Sequence, residues 1–189
     1  MAANTSPPPN GTGRGALVLG STILLGFLAL WESSGKPITT VYADRLAGGL
    51  PTVCDGITRH ITSTPIVVGE KWSMGKCERE QRAALIKVQQ QLLKCFTRTP
   101  PQSVFDAATS HAWNMGAAGT CGSVAMQHWN KGNWAAGCNR LAIDADGRPV
   151  WSYVRTGRTL PNGKPEMRFV QGLANRRQAE VKLCTAGVE

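Results

Sequence analysis

Three side chains in the first third of the chain have the types needed for acid–base chemistry at a glycosidic oxygen: Glu32, Asp44 and Thr52. Glu32 is the first charge after a long apolar run. A carboxyl group beside apolar surface can be kept protonated, as a general acid at that oxygen must be. Asp44 follows Tyr42, and Thr52 lies past Gly48-Gly49. A second carboxylate with a hydroxyl neighbour can hold and activate a water molecule. The plainer alternative makes Glu32 an interfacial marker at the end of the apolar run, and spacing alone does not separate the two. Other chemistries have weaker support. There is no Gly-x-Ser-x-Gly and no glycine-rich phosphate loop between a strand and a helix. The histidines His60, His111 and His128 do not fall at zinc-motif intervals and no cysteines are spaced C-x-x-C, so neither a metal nor a cofactor is expected.

The segment before Glu32 differs in kind from the rest. Of the net charge of +9 over 189 residues, Arg14 is the only charged side chain in the first 31, so the remaining 158 carry +8. Residues 1–14, with three successive prolines among Gly, Asn, Ser and Thr, read as a disordered leader. Residues 15–31 form an uncharged stretch of 17, at the lower limit for crossing a bilayer. Its Gly15, Gly20, Ser21, Thr22 and Gly26 dilute the apolar content below that of an ordinary anchor. It also lacks the polar face of an ordinary core helix and a good small-x-small cleavage site. A signal peptide and a weak, reversible membrane segment remain, and both place the body outside the cytoplasm.

Six cysteines, Cys54, Cys77, Cys95, Cys121, Cys138 and Cys184, all lie in that body. An even number behind an export segment reads as up to three disulfides in an oxidising compartment. Short sequence separation suggests Cys121–Cys138 as one pair. The basic balance predicts attraction to an anionic partner. Dispersed charge without a recognised motif argues against nucleic acid.

The elements that must position the candidates follow from periodicity. Residues 38–58 alternate in part and predict a small β-meander. Beyond residue 77 the pattern is helical: Leu85, Val88, Leu92, Leu93 and Phe96 recur at three- to four-residue spacing, and Pro100-Pro101 ends that helix. Ser103 is a candidate cap for a second helix reaching Met115. Shorter helices are expected over 121–130 and from Asn133 to Leu141, and a last one over 169–185. Residues 144–168 read as a polar loop. The fold class is α+β, with a small β lobe joined to a helical lobe.

The order Glu32, Tyr42-x-Asp44, a Gly pair, then Pro51-Thr52-Val53-x-x-Gly56 resembles the phage-type lysozymes. So do Trp113-Asn114-Met115-Gly116, Trp129-Asn130-x-Gly132-x-Trp134 and Gly172-Leu173-Ala174-Asn175-Arg176-Arg177-x-x-Glu180. The weak apolar leader resembles that of their signal-anchor-release endolysins. The resemblance implies a lysozyme-like domain over 32–189 that hydrolyses the β-1,4 bond between N-acetylmuramic acid and N-acetylglucosamine of peptidoglycan during host-cell lysis. It implies Glu32, Asp44 and Thr52 as catalytic residues, and Arg176 as the last-helix arginine that approaches the catalytic Glu. It further implies a monomer held through residues 15–31 at the host inner membrane, facing the periplasm, then released into it. One departure from the family is visible: Glu-x11-Asp-x7-Thr here against Glu-x8-Asp-x5-Thr there, with Val41 at the family's Asp spacing. Asp55 is therefore a second candidate beside Asp44, and a catalytically impaired wall-binding module is the alternative function.

Overall fold

A computed structural model describes residues 16–33, 36–45, 48–54 and 56–188; the leader 1–14, Gly15 and Asp55 lie outside these residues. In chain order it contains α1 (Thr22–Ser33), β1 (Ile38–Asp44), β2 (Leu50–Cys54), β3 (Ile57–Thr58), α2 (Met74–Leu93), α3 (Gln102–Met115), α4 (Ala117–Cys121), α5 (Val124–Asn130), α6 (Trp134–Asn139), β4 (Tyr153–Thr159), β5 (Pro165–Phe169) and α7 (Gln171–Thr185). Strands β1, β2 and β3 form one antiparallel sheet in that order, and β4 and β5 form a separate hairpin.

The helical lobe is organised around α3. Every residue from Val104 to Ala112 is buried, because Ala107, Ala108 and Ala112 let neighbouring helices approach on several sides. The polar members of that stretch have partners. The Thr109 hydroxyl donates to the Phe105 carbonyl at 2.7 Å, the Ser110 hydroxyl donates to Glu180 at 2.7 Å, and Nδ1 of His111 lies 2.8 Å from the Thr120 hydroxyl. Phe105, Trp129, Met126 and Leu141 fill the core between α3, α5 and α6. Gly137 on α6 permits the close approach of α5, since a Cβ there would stand 2.3 Å from the Trp129 ring.

Helix α1 comes from the apolar run, and it packs on this lobe. Leu24 and Leu28 are fully buried with Leu85 of α2, while Ile23 and Leu30 face outward. Polar side chains of α2 and α3 satisfy the backbone that leads into it. Gln102 accepts from the Val18 amide at 2.9 Å and donates to its carbonyl at 3.1 Å; Gln89 accepts from the Gly20 amide at 2.8 Å. The Ser21 hydroxyl donates to Asp106 at 2.7 Å and accepts the Leu24 amide at 3.1 Å, capping the helix. Burial raises the Asp106 carboxyl above the ordinary Asp range, partly offset by its Ser21 and Gln102 donors. No helix among the described residues is long and apolar enough to cross a membrane; α1 has 12 residues.

Three expectations are corrected. The disulfides are Cys54–Cys77, Cys95–Cys121 and Cys138–Cys184, with Cα separations of 5.7, 5.6 and 5.6 Å, so Cys121 and Cys138 are not partners. Cys121, on α4, meets the end of α2, whereas Cys138, on α6, meets α7; the intervening α5 carries them to different neighbours. Residues 153–169 form the β4–β5 hairpin rather than a loop. Both strands are almost wholly exposed and so lack the apolar alternation that signals a strand. Finally, Ser103 does not cap α3. The helix begins at Gln102 after Pro101, and the Ser103 hydroxyl donates instead to the Cys184 carbonyl at 2.9 Å.

Candidate active site

Sheet register brings Asp44 and Thr52 together. Tyr42 pairs with Thr52 and Asp44 with Leu50, and the two-residue period places Tyr42, Asp44 and Thr52 on one face of the β1–β2 pair. The lengthened spacing is absorbed by an irregularity: Ile38 pairs with Cys54, so four steps along β1 oppose two along β2 before the Tyr42–Thr52 pair. The displaced segment finds other partners. The Val41 amide donates to the Glu70 carbonyl at 2.8 Å, and the Trp72 amide donates to the Thr39 carbonyl at 2.8 Å. Val41 itself is buried in the sheet lobe's core with Val53, Ile57 and Trp72, so it is a packing residue at the position where spacing would seek an Asp. The turn closes on Gly48 and Gly49, both with positive φ, and the Gly49 amide donates to the Asp44 carbonyl at 2.7 Å.

The last turn of α1 carries Glu32 to the same cleft. A cavity of about 490 Å³ is lined by Glu32, Lys36, Tyr42, Asp44, Thr52 and Thr58, among others. The structure therefore gathers Glu32, Asp44 and Thr52 in one concave site between the lobes, while the other candidate, Asp55, lies outside the described residues. Thr52 is buried, and its hydroxyl donates to the Leu50 carbonyl at 3.0 Å, leaving oxygen lone pairs to accept a hydrogen bond. Burial and the negative charge of Asp44 together raise the Tyr42 phenol above its ordinary range.

Glu32 is held from behind. Nη1 of Arg176 donates to its Oε1 at 2.5 Å, with the Arg176 side chain 5% exposed and the Glu32 side chain 22% exposed. Glu180 then anchors Arg176: its Oε1 accepts from Nε of Arg176 at 3.4 Å, from Nη2 of Arg177 at 3.0 Å and from the Ser110 hydroxyl at 2.7 Å. Arg177 also donates to Asn114 at 3.1 Å. Two carboxyl groups and two guanidiniums thus meet in one largely buried cluster. Burial pushes the Glu180 carboxyl up and the Arg177 guanidinium down, and their mutual attraction opposes both shifts. Beside them His111 is held at a pKa of about 3 by burial and by the cations Arg177 and Arg176, so it is a neutral imidazole.

Sequence reasoning identified Arg176 but not the parts of the cluster that hold it. Asn114, Arg177 and Glu180 stand inside the motifs Trp113-Asn114-Met115-Gly116 and Asn175-Arg176-Arg177-x-x-Glu180, and that was the available signal. Ser110 had none. The tryptophans serve packing: Trp129 is fully buried, Trp113 packs beside Leu24 and Leu28, Trp134 lies against the helical core, and Trp151 meets His111 edge-on. Among the described residues no group of His, Cys, Asp or Glu could hold a metal ion.

A small sheet facing a helical lobe across a cleft that holds two carboxylates and a buried threonine is the arrangement of a lysozyme-type glycoside hydrolase. The chain belongs to the phage lysozyme family, whose sequence model matches residues 37–180, beginning five residues after Glu32. It is 28% identical over 171 residues to a SAR-endolysin of Pseudomonas phage phiKMV, covering 90% of this chain and 89% of that one. Its fold is similar to an endolysin from Escherichia coli O157:H7 phage FAHEc1, with a TM-score of 0.70 at 22% identity, covering 92% of this chain and 96% of that one. It is also similar to the muramidase domain of SpmX from Asticaccaulis excentricus, with a TM-score of 0.67 at 17% identity, covering 89% and 98%. The protein is thus a muramidase-type enzyme of cell-wall lysis whose substrate is peptidoglycan.

Proposed function

We propose that the enzyme is an endolysin that cleaves the β-1,4 bond between N-acetylmuramic acid and N-acetylglucosamine, with Glu32 as general acid and with Asp44 and Thr52 positioning the attacking water. Glu32 delivers its proton to the leaving oxygen as the sugar gains oxocarbenium character, and Arg176 positions the carboxyl group that does so. The observation that carries the reading is the convergence of Glu32, Asp44 and Thr52 on one cleft from two separate elements. The Tyr42–Thr52 register supports Asp44 as the second carboxylate. Digestion of isolated peptidoglycan sacculi tests the bond: new reducing ends on N-acetylmuramic acid support the reading, and new reducing ends on N-acetylglucosamine alone refute it.

The protein acts as a monomer whose leader and apolar segment, residues 1–14 and 15–31, first hold domain 32–189 at the periplasmic face of the host inner membrane. Release then frees it into the periplasm. In the membrane-held form the helix that carries Glu32 lies in the bilayer, and Glu32 cannot complete the cleft. Leaving the membrane draws the α-amino group and Arg14 outward against the membrane potential, at about 2.3 kcal/mol per charge per 100 mV, so depolarisation favours release. The partners that Gln89, Gln102 and Asp106 give to residues 18–21 support a second resting place for the segment on the helical lobe. The segment has no cysteine, so no disulfide exchange with it is needed.

A further inference from the structure

None of the residues of the β4–β5 hairpin lines the catalytic cleft. The chain turns into it at Trp151, whose φ of +57° is a left-handed conformation rare for a bulky residue. That turn is braced. The Trp151 ring meets buried His111 edge-on with centroids 5.0 Å apart, Ser152 is fully buried, and the Val170 amide closes the base by donating to the Ser152 carbonyl at 2.8 Å. Beyond this base the strands pair only with each other.

The hairpin's register sorts its side chains. Tyr153 faces Phe169 and Arg155 faces Met167, so these four share one face. Its apolar members are well exposed, Tyr153 and Phe169 at 41% each and Met167 at 48%. The two rings pack edge-to-face with centroids 5.5 Å apart, which makes a preformed aromatic platform. The hairpin also carries Arg158, Lys164 and Arg168 against one carboxylate, Glu166, and the Thr156 hydroxyl donates to that carboxylate at 2.5 Å. Leu160 stands exposed at the tip.

An isolated two-stranded hairpin with an apolar face and two open edges is marginal in water, and such a face needs a partner. We propose that this face docks the protein on an anionic phospholipid bilayer. Tyr153, Phe169 and Met167 enter at headgroup depth, where amphipathic rings are favoured, and Arg155 on the same face meets the lipid phosphates; Arg168, which pairs with Val154 on the opposite face, adds with Arg158 and Lys164 to the hairpin's attraction for the anionic surface. A second copy of the hairpin is a poorer partner, because it would set like charges against each other. The docking surface is separate from the apolar N-terminal segment and from the catalytic cleft.

The test compares partitioning of the full chain onto vesicles of an equal phosphatidylcholine–phosphatidylglycerol mixture with partitioning onto phosphatidylcholine alone. The ratio of the two cancels the charge-independent contribution of the N-terminal segment. One variant combines Arg155→Gln, Arg158→Gln, Lys164→Gln and Arg168→Gln; another combines Tyr153→Ser, Met167→Ser and Phe169→Ser. The cation variant is expected to lower the ratio by at least about tenfold. The apolar variant is expected to weaken binding to the mixed vesicles, and both should keep wild-type hydrolysis of isolated sacculi. That activity reports the fold and separates this proposal from the catalytic one. If a combined variant does not fold, Arg155→Gln and Phe169→Ser singly carry the test with smaller losses. A ratio unchanged by the cation variant, a loss of binding to sacculi in place of vesicles, or a loss of self-association alone would overturn the proposal.

Discussion

The guanidinium of Arg176 meets the Glu32 carboxylate at 2.5 Å across 144 residues of sequence, joining the last helix to the end of the apolar N-terminal segment. With α1 packed on the helical lobe, Glu32 has both its orienting partner and its place in the lining of the cleft.

Glu180 fixes Arg176 in that contact. Glu180→Gln leaves two buried guanidiniums facing a single carboxylate, and breaking a buried ion pair from one side costs about 3–5 kcal/mol. We expect a loss of that size in chemical unfolding. Hydrolysis of sacculi should also fall at temperatures where the variant remains folded, with the loss mainly in kcat because Glu180 does not touch substrate. Wild-type kcat in the folded variant would show that Arg176 needs no support.

His111 predicts a pH dependence of stability. Its folded pKa of about 3 lies below the ordinary 6.5, so the unfolded chain binds the extra proton between these values. Its contribution is complete above about pH 6.5 and is lost as pH falls towards 3, at up to about 1.4 kcal/mol per pH unit. Asp106 and Glu180, whose carboxyl pKa values are raised by burial, act in the opposite sense and favour the folded state as pH falls through them. The difference between wild type and His111→Gln isolates the histidine. Wild type should lose stability relative to the variant on acidification through this window, and parallel profiles would contradict the burial.

Gly26 separates folding from membrane retention. It lines a cavity between α1 and α2, and a Cβ placed on it meets nothing within 4 Å. Gly26→Leu should therefore fold and hydrolyse isolated sacculi normally, yet strengthen insertion of the apolar segment. Fractionation of producing cells after addition of an uncoupler should find wild type moving to the soluble periplasmic fraction and the variant staying with the membrane. Equal release of both would count against control by insertion strength.

The Cys54–Cys77 bond ties the end of β2 to the first turn of α2, two residues beyond Thr52. Replacing both cysteines by serine should lower stability by roughly 3 kcal/mol, the usual size for a loop of this length. Activity should fall with it as β2 loosens. Thermal unfolding and sacculus hydrolysis measured together would test this, and an unchanged melting temperature would refute it.

The site was legible in the sequence where chemistry and short-range periodicity coincide. Asp44 and Thr52 sit on alternating strands joined by a glycine turn, so their shared face could be anticipated although their spacing departs from the family's. Glu32 stood out because charge resumes there. The disulfide pairing was not legible, since Cys95–Cys121 and Cys138–Cys184 depend on which helices pack together. The β4–β5 strands escaped detection because exposure on both faces removes the period of two. Ser110 and His111 gave no signal either, because their partners come from distant parts of the fold.

The most direct test is the rate at which wild type and Glu32→Gln release reducing ends from isolated sacculi, with matched unfolding curves to show that both are folded. Loss of a general acid is worth about 10²–10⁴-fold, and we expect a loss of that size. A folded Glu32→Gln enzyme with a rate close to wild type would contradict the assignment of Glu32 and, with it, the link between seating of α1 and activity.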